Sequence, residues 1–101
     1  MSGHNRTVSP EKAGARVAEL ALSFPQAYED RPFGDFPTYK VPPNKLFALA
    51  LPFVSVARYV GRYGWITARV TDEDSLAAAL EWLRESYWLK APKKLRDAAW
   101  R

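Results

Sequence analysis

The chain is predicted to fold as an α+β domain, with two helices packed on one face of an antiparallel sheet in the order α-β-β-β-β-α. Three observations carry this. Apolar residues recur at helical spacing near the N-terminus, at Val17, Leu20, Ala21 and Phe24. A second helical stripe follows at Leu76, Leu80, Leu83 and Tyr87. Between them lie short runs rich in Val, Ile, Thr and aromatics, broken by Pro and Gly, the pattern of short strands joined by turns.

Each element has its own signals. Met1 to Val8 is a polar leader, expected to be flexible, and the domain is placed at residues 9–101. Ser9-Pro10-Glu11 starts a helix: Ser caps, Pro suits the first helical position, and Glu faces the positive end of the dipole. Pro25 stops that helix at Phe24, so it is expected near 10–24. Gln26 to Pro37 reads as a loop dense in Pro, Gly and Asp, with Phe33 and Phe36 as anchors and Gly34 as a backbone requirement. Thr38 to Val41 and Lys45 to Leu51 read as a hairpin about Pro42-Pro43-Asn44, its loop of the five-residue class. Phe53 to Tyr59 and Trp65 to Val70 are further strands, giving four or five between 37 and 70. Thr71 is the expected N-cap of a second helix near 73–90, with Asp74 at the capping-box position and Pro92 as its stop. Lys93 to Arg101 suits a last short helical turn, with Leu95 and Trp100 packing back.

Composition bounds the class. The 101 residues are 48% hydrophobic, enough for one packed domain and too many for a disordered chain. There is no cysteine, which excludes disulfides, thiolate nucleophiles and Cys-ligated metals and fits a cytoplasmic location. The N-terminus lacks a signal-peptide pattern, and no apolar run is long enough to cross a membrane, so no membrane partner is expected.

Charge is the most informative feature for function. The net charge is +4, yet no acidic residue lies between Lys40 and Thr71. That window holds Lys40, Lys45, Arg58, Arg62 and Arg69, and its centre alternates cations with aromatics from Arg58 through Tyr59, Arg62 and Tyr63 to Trp65. Guanidinium groups beside aromatic rings suit phosphate contact and base stacking, so DNA is the expected partner. The same alternation also arises when a half-buried sheet turns cations outward and aromatics inward. A second basic stretch, Lys90 to Arg101, carries Lys93 and Lys94 and a formal charge of +4. Its lysines also complement a helix C-terminus. The candidate contacts are Lys40, Lys45, Arg58, Arg62, Tyr63, Lys93 and Lys94, with Trp65 anchoring the strand beneath. The competing reading is a protein-interaction module or homodimer using Trp82, Trp88 and Trp100, since exposed Trp favours interfaces.

Three pieces of the chain carry a family resemblance. The first is Leu20-Ala21-Leu22-Ser23-Phe24-Pro25 followed by Glu29-Asp30-Arg31-Pro32-Phe33-Gly34. The second is Lys45-Leu46-Phe47-Ala48 after a hairpin turn. The third is Gly64-Trp65-Ile66 with Ser86-Tyr87-Trp88-Leu89 and Lys93-Lys94-Leu95. In order and spacing, from about Pro10 to Leu95, the chain resembles the MmcQ/YjbR-like proteins, small bacterial domains of frataxin-like fold. The resemblance implies an antiparallel sheet flanked by helices and DNA binding through paired wing-like hairpins. The family's longer middle segment, with its extra helical piece, is here only Pro52 to Tyr63.

No catalytic constellation emerges, and the protein is expected not to be an enzyme. His4 is the only histidine and lies in the leader, which excludes a serine-protease-like triad and a His-based metal site. Gly61-Arg62-Tyr63-Gly64 has neither a Walker lysine nor a dinucleotide fingerprint. Glu29 and Asp30 are adjacent carboxylates beside Arg31 and are expected to cap turns and pair with neighbouring cations. The frataxin-like resemblance raises iron, but the first helix offers only Glu11 and Glu19 beside Lys12 and Arg16, not an acidic ridge. No cofactor or metal is expected.

Overall fold

A computed structural model describes residues 6–32, 34, 36–51, 55–59 and 64–99. Helix α1 spans Pro10–Ser23. Five strands follow: β1 Tyr28–Asp30, β2 Thr38–Val41, β3 Lys45–Leu51, β4 Ser55–Tyr59 and β5 Trp65–Arg69. Helices α2, Glu73–Lys90, and α3, Lys93–Ala99, complete the chain. The strands form one antiparallel meander in the order β1-β2-β3-β4-β5. The α+β layout is the one the sequence predicts.

Both helices start as capped elements. The Ser9 side chain accepts the Lys12 N–H at 3.2 Å. At α2 the cap is Asp72 rather than Thr71: its carboxylate accepts the Ser75 N–H at 2.8 Å. The Ser75 hydroxyl returns to the backbone N–H groups of Thr71 and Asp72. Thr7 bridges Asp72, and the Val8 N–H donates to the Thr71 carbonyl. This tertiary pairing holds Asp72 extended, the geometry a cap needs. Val8 is buried and Arg6 accepts from the Glu73 N–H, so the packed part reaches back into the predicted leader.

Two further boundaries move. Strand β1 lies inside the predicted loop, because Tyr28 to Asp30 pair with Lys40 to Thr38. The β2–β3 loop is only Pro42 to Asn44, with Val41 opposite Lys45. Gly34 has a φ of +82°, a conformation L side chains rarely adopt, as its predicted backbone role requires. Phe33, Pro52 to Val54 and Trp100 lie outside the described residues.

One core joins the layers. Val17 and Ala21 from α1 and Phe24 at its C-cap pack with Leu76, Leu83 and Tyr87 from α2 against Tyr39, Phe47, Ala48 and Val56 of the sheet. Leu20, Leu80 and Leu95 pack around this cluster. At its centre Phe24 stacks on Tyr87 at 4.5 Å, and Phe47 meets Tyr87 edge-on at 5.5 Å. Tyr39 pairs with Ala48 and Lys40 with Leu46, so Phe47 is an extra residue in β3. The bulge lets Phe47 and Ala48 both be buried, and the Ser86 hydroxyl on α2 donates to the Phe47 carbonyl.

Candidate nucleic-acid interface

Strand register determines where the cations gather. The β2–β3 turn lies just before Lys45. Ala48 pairs with Arg58 and Tyr59 with Trp65, so β4 runs toward that same end of the sheet and β5 starts there. Helix α2 begins beside Thr7, at the opposite end, and returns until Ser86 and Tyr87 meet Phe47. Lys90, Lys93 and Lys94 follow within two turns. The turn end of the domain therefore carries Lys45, Lys90, Lys93 and Lys94 and the end of β4 at Arg58. The opposite end carries Glu11, Asp72, Glu73 and Asp74, at the N-termini of α1 and α2, together with Arg6, Lys12 and Arg69. Carboxylates there complement both helix dipoles, and Lys90 complements the negative end of α2.

The predicted contacts fare differently. Lys45, Lys93 and Lys94 are exposed. Lys40 is engaged: its ammonium lies 2.8 Å from Asp30 Oδ2 and 3.0 Å from Asn44 Oδ1, with the side chain 12% exposed. The Lys40 contact holds the Asp30 carboxyl below its ordinary range, helped by the Arg31 N–H. A phosphate at Lys40 would have to displace Asp30. The Arg58 backbone is in β4, while its side chain and all of Arg62 and Tyr63 lie outside the described residues. Arg96, in the same basic tail, is occupied by stacking 5.0 Å from the Trp88 ring centroid. Trp65 does not anchor the strand from below: it is 41% exposed at the start of β5. Trp82 is half-buried, whereas Trp88 and Leu89 are 39% and 50% exposed on adjacent positions of α2.

The carboxylates pair as their neighbours dictate. Glu29 Oε2 accepts from Arg31 Nε at 3.1 Å, and Asp30 holds Lys40. Both belong to β1, within the segment predicted as loop. Beside them a cleft of about 340 Å³ runs between α1 and the sheet, floored by Tyr39, Ala50 and Val56. Burial, then the nearby Glu29 carboxylate, pushes the Tyr39 hydroxyl up to about 12. Among the described residues no group of His, Cys, Asp or Glu is arranged to hold a metal ion. No described helix is long and apolar enough to cross a membrane. Comparisons with protein-family models, curated proteins and solved structures find no match to this chain.

Proposed function

We propose that the protein binds DNA weakly and largely without sequence preference through its basic turn end. The observation that carries this reading is the gathering of Lys45, Lys90, Lys93 and Lys94 where β2 turns into β3 and α2 ends, against mixed charge at the other end, where Arg6, Lys12 and Arg69 accompany the acids of the helix N-termini. Arg58 and Arg62 contact phosphates, Lys93 and Lys94 extend the track beside Lys45, and Tyr63 stacks on a base or sugar. The resemblance to MmcQ/YjbR-like proteins points the same way. The rival reading, an interaction module without catalysis, draws on exposed Trp88 and Leu89.

Salt dependence separates the two. About four phosphate contacts give a log–log slope of roughly −3 to −4 on duplex DNA, with dissociation constants from the tens of micromolar upward at physiological salt. Fluorescence anisotropy on a random duplex across salt concentrations measures both. Replacing Arg58 and Arg62 together by Ala weakens binding and flattens the slope by about two. Unchanged binding in that variant, or no salt-dependent binding even at low salt, rejects DNA in favour of the interaction module.

A further inference from the structure

The two edges of the sheet are unlike. Strand β1 is short and charged, with Glu29 and Asp30 both ion-paired, features that discourage strand addition. Strand β5, Trp65-Ile66-Thr67-Ala68-Arg69, has neither defence until Arg69. It contains no Pro, and Trp65 and Ile66 are 41% and 44% exposed beside exposed Thr67. One row of its N–H and C=O groups faces away from β4, and no described strand pairs with it. The described N-terminal residues do not cover it: Thr7 pairs with Asp72, beyond the end of the strand.

We propose that two copies of this chain join through β5, antiparallel about a two-fold axis at Thr67, into one continuous sheet. Residues opposite each other across such a joint must lie on the same face, so only even registers are available. Trp65, Thr67 and Arg69 share one face of β5, and Ile66 and Ala68 share the other. Centring the axis on Thr67 sets Trp65 opposite Arg69 of the second copy, twice, a cross-strand cation–π pair. It sets Ile66 against Ala68, covering an exposed aliphatic side chain with a small one, and Thr67 against Thr67. Centring on Ile66 leaves Arg69 outside the five-residue strand pairing, and centring on Ala68 leaves out Trp65. The Thr67 register alone pairs all five residues and opposes no like charges. A five-residue edge is a small interface, so the association is weak and reversible. The axis sends the two basic ends to opposite ends of the joint sheet, so this joint is independent of the DNA reading.

The absence of native cysteine gives a clean test. Thr67 residues across the axis have Cα atoms about 4.5–5.5 Å apart, within disulfide reach. Two Arg69 residues are separated by about four residues of strand, roughly 13 Å, which is out of reach. Full-length Thr67→Cys and Arg69→Cys proteins, each checked for wild-type circular dichroism, are oxidised at the same high concentration and run on non-reducing gels. Thr67→Cys is expected to cross-link to dimer at least tenfold faster than Arg69→Cys. Adding Ile66→Lys to Thr67→Cys is expected to abolish cross-linking, because an edge lysine opposes strand addition. Equal rates for the two cysteines mean random collision and overturn the proposal. A folded Thr67→Cys protein that stays monomeric leaves the edge to another partner and overturns it too.

Discussion

Tyr39 shows how one side chain ties sheet chemistry to pH. It sits in the middle of β2, buried beneath α1, with Glu29 opposite it on β1. Its hydroxyl is raised from 10.0 to about 12, chiefly by burial. The unfolded chain therefore loses this proton first as pH rises. The stabilising contribution is complete below pH 10 and disappears between pH 10 and about 12. Urea denaturation of the wild type should show the midpoint falling through that window, and Tyr39→Phe should remove much of the fall. Tyr87, also raised by burial, supplies part of what remains. An identical alkaline profile in the Phe variant would show that Tyr39 titrates without coupling to folding. Lys40 makes the complementary point. As one residue in an acid-free stretch it reads as a free cation, but register brings Asp30 from ten residues away against it.

The start of α2 is decided at the level of the element. Thr71 and Asp72 are both competent caps, and local spacing cannot choose between them. The bridge from Thr7 chooses, by holding Asp72 extended at the helix mouth. Asp72→Ala is expected to cost about 1 kcal/mol, read from the urea midpoint, whereas Thr71→Ala should cost less than half of that. The reverse order would contradict the observed cap. Helices were legible because their apolar period and proline stops are local: α2 runs over Glu73–Lys90 as expected. Strand β1 was not legible, because Tyr28-Glu29-Asp30 has no apolar alternation and exists only by pairing with β2. Trp65 was misplaced for a related reason. Its strand is an edge, where an aromatic residue need not find a core, and no local pattern separates an edge from a central strand.

Across the whole molecule, the distribution of charge follows from the path of the chain. Helices α1 and α2 both start at the end where Val8 meets Thr71, which brings together the Asp72 cap and the first-turn acids Glu11, Glu73 and Asp74. The β2–β3 turn, the end of β4 and the end of α2 fall at the other end, where Lys45 of the acid-free window comes near the basic tail. The sequence displayed both basic stretches but not their proximity, which depends on α2 returning to Phe47. On the proposed reading, this end is where DNA binds. The most direct measurement is a backbone amide NMR titration of the wild-type protein with a short random duplex at low salt. DNA binding at this end gives salt-reversible shifts concentrated at Lys45, Arg58 and Lys90 to Leu95, with Glu11 and Asp72 to Asp74 unmoved. Shifts concentrated instead on Trp88, Leu89 and the outer face of α2, or no shifts at all, would contradict it.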